Sequence, residues 1–421
     1  MSERLPFQML AGLVGGLALG IAAHALLAGS PVVDALVRYV IEPAGQIFLR
    51  LLFVLVLPLV VAALALSIAE LGDMRRFGRI GLRTLAYTAG VSTIAVAIGV
   101  TLVNVFEPGT GLDPALRERV SDGARLPAAA SAAGRSGVDF IVNLVPSNAI
   151  KAMADGDMLA VMVFAILLGV GVASTRSEPA RRLEEALRGL LDVTMYLLGL
   201  VIRAAPVGVA CLVFTLAWRL GLELFVRLAA YVAVVVAGLA LQQFVVYSAS
   251  VKWLGGMSPV QFFRATRAAT VTAFSTASSN ATLPTALWVA ENELHLPSRV
   301  SRFVLTIGST ANQNGTALFE GVTVLFLAQF YGVDLTLAQQ VTVVFICILG
   351  GIGTAGVPAG SLPVVMMILG MVGIPVEGIG MILGVDRLLD MCRTTLNVTG
   401  DLAAAVVVSR GEEVLQPLPE G

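Results

Sequence analysis

The sequence predicts an all-α integral membrane protein, and three observations support this. Of its 421 residues, 57% are hydrophobic and only 13% are charged, whereas soluble domains are about 25% charged. The mean hydropathy is +0.89. The apolar residues are grouped in runs of about 20 residues or more, the length that a helix needs to cross a bilayer. The net charge of −1 gives no reason to expect nucleic-acid binding.

Apolar runs in the first part of the chain predict conventional membrane helices. Their bounds are roughly 6–28, 43–70, 80–106, 156–174, 189–218 and 222–250. The stretch between the third and fourth runs is rich in Gly, Pro, Ser and charge, which predicts a loop. Arginine clusters follow the second, fourth and sixth runs, and all fall on one side if the N-terminus is cytoplasmic. No cleavable signal peptide is predicted, because the first run continues for a full span.

The cysteines and histidines do not predict a metal centre. Cys211, Cys347 and Cys392 lie in apolar runs without CxxC spacing, which is typical of buried free thiols. His24 and His295 are far apart and have no neighbours that resemble metal ligands. A zinc or di-metal enzyme is therefore not expected.

Two apolar segments after residue 255 are broken at their centres by Ser, Gly, Asn and Pro. They are 271–290 and 345–370, and each precedes a helix with a polar cluster, at 309–329 and 385–409. Lipid cannot satisfy the backbone groups that such breaks free, so a break must lie inside protein or along a cavity. For either segment alone, an ordinary kinked span is the alternative. The repeated order predicts a site near the membrane midplane, built from inverted repeats.

The last helix carries an unusual row of polar residues. Asp386, Asp390, Arg393, Asn397 and Asp401 are spaced 4, 3, 4 and 4 residues apart, which places them on one helix face. A charge at the bilayer centre costs about 2.5–3.5 kcal/mol. These charges must therefore face one another, a cavity or a ligand. A cluster in the headgroup region and a self-satisfied salt-bridge cluster remain alternatives.

The chemistry of this row suits a zwitterion with two carboxylates. Arg393 can bind a carboxylate bidentately, and Asp390, one turn earlier, can hold an ammonium group. Asn397 can bridge both groups. Asp401, together with asparagine side chains and free carbonyls, offers the oxygen ligands that small hard cations prefer. Aspartate or glutamate would use all of these groups.

Four motifs carry a resemblance to a known family. They are "SSNATLP" (278–284), "NQNGTALFEG" (312–321), "GTAGVPAG" (353–360) and "DMCRTTLNVTGD" (390–401). With them the chain resembles, over nearly its whole length, the dicarboxylate/amino acid:cation symporter family, which includes archaeal aspartate transporters and excitatory amino acid transporters. The resemblance implies eight transmembrane helices plus two re-entrant helical hairpins, inverted repeats, and a homotrimer in contact with membrane lipid. It also implies a static scaffold and an elevator-like transport domain.

The resemblance divides the chain into segments and implies a location. The segments are scaffold helices 1–2 (1–75), helix 3 of the transport domain (76–108), an extracellular loop (109–138), scaffold helices 4–5 (139–220), the rest of the transport domain (221–410) and a flexible tail (411–421). The implied location is the prokaryotic cytoplasmic membrane, with both termini cytoplasmic.

The resemblance also implies a set of substrate-binding residues. They are Ser279 in the first hairpin tip, Gly356 and Val357 in the second hairpin tip, and Thr316, Asp390, Arg393, Thr394 and Asn397. Dicarboxylate members lack an acid at the position of Asp390, so its presence favours an amino acid. Neutral amino acid members lack the arginine at Arg393, so its presence favours an acidic side chain.

The cation sites depart from those of the sodium-coupled members. Those members have an aspartate ligand where this chain has Asn314, and ligands in the third helix where this chain has Thr88, Val91 and Ser92. Ser92 and Asn314 therefore belong to a degraded sodium site. The site of Asn312, Asn397 and Asp401 is retained as a candidate sodium site.

Two further departures concern the same region. Gln313 stands where the sodium-coupled members have a methionine beside a second ion. An arginine that members place in the first hairpin or in the last helix is absent from both positions, which are Ala277 and Met391.

Glu320 indicates proton coupling. Mammalian members have a proton-carrying glutamate at this position, and archaeal sodium-only members have a glutamine. A carboxyl group on an apolar helix favours its neutral form, because burial penalises the charge. A structural carboxylate paired with another side chain is the alternative.

The sequence therefore predicts a secondary transporter that imports L-glutamate or L-aspartate by symport with H+, with altered or reduced use of Na+ and no cofactor. Alternatives are a neutral amino acid or a C4-dicarboxylate on the same fold, or sodium-coupled aspartate symport. An intramembrane aspartyl enzyme using Asp390 and Asp401 is not expected. Those residues lie about 16 Å apart along a helix, and shared-proton dyads need about 3 Å.

Overall fold

A computed structural model describes residues 5–27, 30–72, 78–111, 145–155, 158–175, 177–353 and 361–411, and all regular structure in these ranges is helical. The helices of the first half are α1 Leu5–Leu27, α2 Pro31–Leu36, α3 Glu42–Gly72, α4 Arg79–Phe106, α5 Ala149–Asp155, α6 Met158–Ser174, α7 Glu178–Arg203 and α8 Ala205–Leu220. Those of the second half are α9 Leu222–Leu241, α10 Tyr247–Ala249, α11 Pro259–Ala265, α12 Arg267–Thr276, α13 Ser279–Trp288, α14 Ser298–Ala311, α15 Asn314–Tyr331, α16 Leu337–Gly353, α17 Ser361–Met371 and α18 Ile379–Ser409.

Several predicted spans agree with long apolar helices. Within the described residues, three continuous helices are long and apolar enough to cross a membrane: Pro31–Leu66, Arg79–Phe106 and Leu222–Leu254. Two of these continue through π-helical turns, at Val37–Ile41, Gln242–Val246 and Ser250–Leu254. The predicted spans 6–28 and 156–174 correspond to α1 and α6. The all-α class is therefore confirmed, while the count of eight spans stays a prediction.

The predicted span at 189–218 corresponds to two helices joined by a bend. The helix begins earlier, at Glu178, and ends at Arg203, and α8 follows after a bend of 58°. Pro206 lies in the first turn of α8. Because proline has no backbone N–H and its ring clashes with the preceding turn, it favours a kink or break in the helix at this point. The first part of α7 carries exposed ion pairs, including Arg182 with Glu178.

Both segments that the sequence predicts to be broken form pairs of helices packed against each other. In the first hairpin, α12 ends at Thr276, and Ala277 adopts a left-handed conformation with φ 48° before α13 begins. Ser278 caps α13, because its Oγ accepts a hydrogen bond from Ala281 N at 3.2 Å. The second hairpin consists of α16 and α17. Each hairpin precedes the helix or helix pair that carries a polar cluster, so the same order occurs twice.

Close helix packing joins α1 to α8 through small residues. Gly12, Gly16 and Gly20 recur every fourth residue on α1 and face α8. A Cβ atom added at Gly16 would lie 2.5 Å from the carbonyl oxygen of Ala210. Small residues at this spacing let helix backbones approach closely, which is a common way to pack helices in membranes.

The helices pack in two groups that meet at α18. In one group α1 packs against α8, and α3 packs against α6 and α7. In the other group α4 packs against α15, and α12, α14 and α15 pack against α18. Contacts of α18 with α1 and α8, and of α17 with α3, join the groups. The predicted scaffold and transport domains follow the same division, which stays a prediction. Most of the predicted loop at 109–138 and of the tail at 411–421 lies outside the described residues.

Candidate functional site

A break between α14 and α15 places polar groups against α18. Asn312 and Gln313 have non-helical backbone angles, with ψ of 65° and 57°, and they separate the two helices. The backbone N–H of Gly315 donates to Asn397 Oδ1 at 2.7 Å. Asn397 Nδ2 donates to Gln313 Oε1 and, at 3.2 Å, to Thr316 Oγ1. The amide of Asn397 on α18 therefore fastens the start of α15, and it brings Thr316 and Asn397 together as the sequence predicts.

Arg393 is the centre of a buried charged cluster on α18. One guanidinium nitrogen, Nη2, donates to Asp386 Oδ1 and to Asp390 Oδ1, each at 2.9 Å. The other, Nη1, donates to Ser361 Oγ at 2.9 Å. The guanidinium carbon lies 3.8 Å from the centre of the Phe319 ring on α15, an arrangement that stabilises a cation. The cluster is buried among helices, and the salt-bridge alternative describes Arg393 in this conformation.

Glu320 lies on α15 where this helix meets both arms of the second hairpin. Its side chain is completely buried, and neither carboxyl oxygen has a hydrogen-bond partner among the described residues. A Cβ atom added at Gly350 of α16 would lie 3.1 Å from Glu320 Oε2 and 2.6 Å from a methyl of Val364 on α17. A buried carboxyl group without a partner favours its neutral, protonated form. Among the described residues, Glu320 therefore has no partner of the kind that the structural-carboxylate alternative requires.

Asp401 and Asn312 form a second polar site, one helical turn from Asn397. Asn312 Nδ2 donates to Asp401 Oδ1 at 2.8 Å. Asn312 Oδ1 is buried and has no hydrogen-bond partner in the part of the chain that the structure describes. A carboxylate beside an amide oxygen that has no partner among the described residues offers the oxygen ligands that a small hard cation prefers. The described residues contain no group of three His, Cys, Asp or Glu side chains that could hold a metal ion, so a cation here would need amide and backbone oxygens in addition to the Asp401 carboxylate.

The predicted degraded site around Asn314 is filled by protein hydrogen bonds. Ser92 Oγ of α4 donates to Asn314 Oδ1. Asn314 Nδ2 donates to the hydroxyl of Tyr247 at 3.1 Å. Both ends of the amide are therefore engaged, and the site contains no carboxylate among these three side chains. Thr88 and Val91, the other positions of the predicted site, are buried on the same helix as Ser92.

The remaining predicted residues are distributed around this region. Ser279 is buried at the start of α13, which packs against α18. Thr394 is buried on α18 beside Arg393. Gly356 and Val357 lie outside the described residues.

Sequence reasoning missed several contributors to the site. Tyr247, Ser361 and Phe319 contact Asn314 or Arg393, and Arg387 lies 3.6 Å from Asp390. Tyr247 had a visible signal, because it follows Gln242 and Gln243 within an otherwise apolar span. Ser361 and Phe319 had none, since a serine after a loop and a phenylalanine in an apolar helix are both ordinary.

The family follows from a match to nearly the whole chain. A family model described as "Sodium:dicarboxylate symporter family" matches residues 5–411. The chain belongs to the sodium:dicarboxylate symporter family. It is therefore a helical membrane transporter and not an enzyme, and the expected resemblance is confirmed.

Relatives within the sodium:dicarboxylate symporter family include proteins with named substrates. The chain is 33% identical over 397 residues to the "Proton/sodium-glutamate symport protein" of Geobacillus stearothermophilus, covering 94% of this chain and 93% of that protein. It is 34% identical over 410 residues to the "Proton/glutamate-aspartate symporter" of Escherichia coli, covering 97% and 93%. It is also 31% identical over 376 residues to the "C4-dicarboxylate transport protein" of Bacillus subtilis, covering 88% and 87%.

Proposed function

We propose that the protein is a secondary active transporter that imports L-glutamate or L-aspartate together with protons. In this proposal Arg393 binds the side-chain carboxylate of the substrate, and Asp390 binds its ammonium group. Thr316, Thr394 and Asn397 provide further contacts to the substrate. The hairpin tips close over it, through Ser279 on one side and Gly356 and Val357 on the other.

One observation carries the substrate proposal: a buried arginine and a buried aspartate lie one turn apart, joined by a 2.9 Å hydrogen bond. An arginine of this kind suits a carboxylate, and the aspartate suits an amine. A substrate with both groups replaces the Arg393–Asp390 contact with two new charge-assisted contacts. A substrate with only one of the groups leaves the other side chain buried without a new partner, which costs about 1–3 kcal/mol or more.

The proton proposal rests on Glu320. Its carboxyl group is buried without a hydrogen-bond partner among the described residues, and it faces the second hairpin. In this conformation the group is stable only when neutral. Release of the proton requires that water or a cation reach Glu320, which movement of the second hairpin would permit. Two relatives are named as proton symporters of glutamate.

The second question about ion coupling is whether sodium is transported together with the substrate. Asn314 engages Ser92 and Tyr247 and supplies no charge, so we propose that no sodium ion is carried there. Asp401 with Asn312 and Asn397 remains the candidate for one sodium ion. The proposed co-transported ion is thus H+, with this one site as the candidate for Na+, and no cofactor is needed.

We also propose the family's assembly and location for this chain. The protein would be a homotrimer in the cytoplasmic membrane of a prokaryote, with both termini cytoplasmic. Helices α1–α3 and α5–α8 would form the static scaffold, and α4 and α9–α18 would move as an elevator. The packing of each group of helices within itself supports this division.

A C4-dicarboxylate is the second candidate substrate, because a relative of similar identity is named for that substrate class. Asp390 argues against it, since a dicarboxylate brings no ammonium group to this carboxylate. A neutral amino acid, or aspartate carried with sodium, would use the same fold. Each of these alternatives makes a different prediction in competition experiments.

Competition for uptake of labelled glutamate into proteoliposomes tests the substrate proposal. We expect aspartate and glutamate to compete at far lower concentrations than glutamine or succinate. Arg393→Cys should reverse the order of glutamate and glutamine, while Arg302→Cys, at an exposed arginine, should leave it unchanged. Stronger competition by succinate than by glutamate would contradict the proposal in favour of a dicarboxylate.

A further inference from the structure

Asp390 lies between two arginines, and each of its carboxylate oxygens faces one of them. Oδ1 accepts a hydrogen bond from Arg393 Nη2 at 2.9 Å. Oδ2 lies 3.6 Å from Arg387 Nη1, which is an ion pair but too long for a hydrogen bond. Arg387 and Asp390 are three residues apart on α18, so their side chains share a face of the helix.

Arg387 has donors that the described residues do not satisfy. Its Nε and Nη1 atoms are both buried, and neither has a hydrogen-bond partner within the described residues. Only 16% of its side chain is exposed. A buried N–H without an acceptor costs free energy. Arg387 therefore has donors available for a contact beyond those that the described residues make, and a shift of well under 1 Å toward Asp390 would complete a hydrogen bond of ordinary length.

Arg393 cannot turn both Nη atoms to a substrate carboxylate while it holds both aspartates and Ser361, and of its nitrogens only Nε has no hydrogen-bond partner among the described residues. Its Nη2 atom is engaged with Asp386 and Asp390, and its Nη1 atom is engaged with Ser361. Turning the guanidinium toward a ligand breaks at least one of these contacts. Until the substrate's ammonium group reaches Asp390, this carboxylate would be buried without a cation, which is strongly destabilising.

The charge count of the cluster supports the same conclusion. Asp386, Asp390, Arg387 and Arg393 together carry no net charge. Without Arg387 the cluster would carry one negative charge, and a substrate that is itself a net anion would add a second. Arg387 thus favours a net anionic substrate and provides a cation for Asp390 when Arg393 leaves it.

We propose that Arg387 is a positioning residue that takes over Asp390 when Arg393 turns to the substrate's side-chain carboxylate. This inference rests on the proposed function, because it concerns an acidic amino acid in the same pocket. Arg387 acts through Asp390 and Arg393 and does not touch the substrate. Arg387 supplies a second arginine to this cluster. The two positions at which other family members place an arginine are Ala277 and Met391 in this chain.

The proposal predicts a change in selectivity and not only in affinity. Glutamate needs Arg393 to be released, whereas glutamine is neutral and does not. Loss of the charge at position 387 should therefore weaken glutamate binding more than glutamine binding. A purely structural ion pair would weaken both amino acids equally.

The test measures inhibition constants of glutamate and glutamine in full-length protein reconstituted in liposomes. In Arg387→Gln and Arg387→Met we expect the preference for glutamate over glutamine to fall about tenfold, which corresponds to about 1.4 kcal/mol. Arg387→Lys keeps the charge and should retain most of the preference. Arg302→Gln, which removes an exposed arginine paired with Glu291, should not change it.

Two results would overturn the proposal: an unchanged preference in both neutral variants, or an equal loss of affinity for both amino acids. The methionine variant keeps the apolar stem, so the test does not depend on recovery of the glutamine variant alone. Failure of the proposed function looks different, because the unmodified protein itself would then show no preference for glutamate.

Discussion

Asn314 and Tyr247 are joined by a 3.1 Å hydrogen bond that the amide nitrogen of the asparagine donates to the tyrosine hydroxyl. With Ser92 donating to the other end of the amide, a site that carries a cation in sodium-coupled members of the family holds a complete set of neutral hydrogen bonds here. We therefore expect that sodium does not drive transport through a site at Asn314. Replacing Asn314 by aspartate, which exchanges the amide nitrogen for an oxygen, tests this expectation.

Asn314→Asp should create a dependence on sodium. The carboxylate would accept hydrogen bonds from Ser92 and Tyr247, but it would be a buried charge without a cation, so the variant should be less stable than the unmodified protein. Sodium that binds the folded state should restore stability, and more so as its concentration rises. Thermal unfolding of the purified protein with sodium or with choline measures this effect.

The control for this variant is Asn292→Asp, the same change at an exposed position. Its unfolding temperature should respond to sodium only as much as that of the unmodified protein does, through the candidate site at Asp401. Equal responses of the two variants to sodium would contradict the assignment of Asn314 to a former cation site.

Glu320→Gln should separate exchange from proton-driven accumulation. The amide has the shape of the neutral carboxyl group, so the closed pocket should still form and exchange substrate. It cannot carry a proton across the membrane, so a pH gradient should no longer drive accumulation. Glu293→Gln, at an exposed glutamate, is the matched control. If Glu320→Gln accumulates glutamate under a pH gradient as well as this control does, Glu320 is not the proton carrier.

Gly350→Ala should hinder closure of the second hairpin. The added methyl would lie 2.6 Å from a methyl of Val364 and 3.1 Å from Glu320 Oε2, and crowding of this kind typically costs about 1–3 kcal/mol. We expect slower uptake and a higher KM for glutamate. Gly370→Ala on the same hairpin has no neighbouring atom within 4 Å of the added methyl. Similar kinetics in both variants would show that the space at Gly350 has no functional role.

Gly16→Ala should destabilise the packing of α1 on α8. The new methyl would lie 2.5 Å from a backbone oxygen of Ala210, which cannot move away as a flexible side chain would. The adjacent Gly15 has no atom within 4 Å of such a methyl, so Gly15→Ala should be neutral or slightly stabilising. Thermal unfolding in detergent compares the two, and an equal melting temperature would contradict the close approach of these helices.

The hydropathy pattern was sufficient to predict the helical class and most helix positions. Breaks at Ala277 and at Asn312–Gln313 were also predictable, because polar residues interrupt apolar runs there. The bend after Arg203 was not predicted, although Pro206 marks it, because prolines are tolerated in membrane helices when neighbours satisfy the freed backbone groups. Helix spacing was enough to place Asp386, Asp390, Arg393, Asn397 and Asp401 on one face.

The partners of those side chains were not predictable in the same way. Ser92 reaches Asn314 across 222 residues of sequence, and Asn312 reaches Asp401 across 89. Such contacts depend on how helices pack and not on local pattern. The interaction of Arg393 with both aspartates was one of several open alternatives, because spacing alone cannot decide whether neighbouring charges face one another or a ligand. The role of Arg387 emerged only from the distance to Asp390 and from its unsatisfied donors.

Uptake of labelled glutamate and aspartate into proteoliposomes, with sodium and proton gradients imposed separately, tests the central claim most directly. We predict that a pH gradient, acidic outside, drives accumulation in the absence of sodium, because the neutral Glu320 carries the proton inward. Uptake that requires sodium absolutely and ignores the pH gradient would contradict this account.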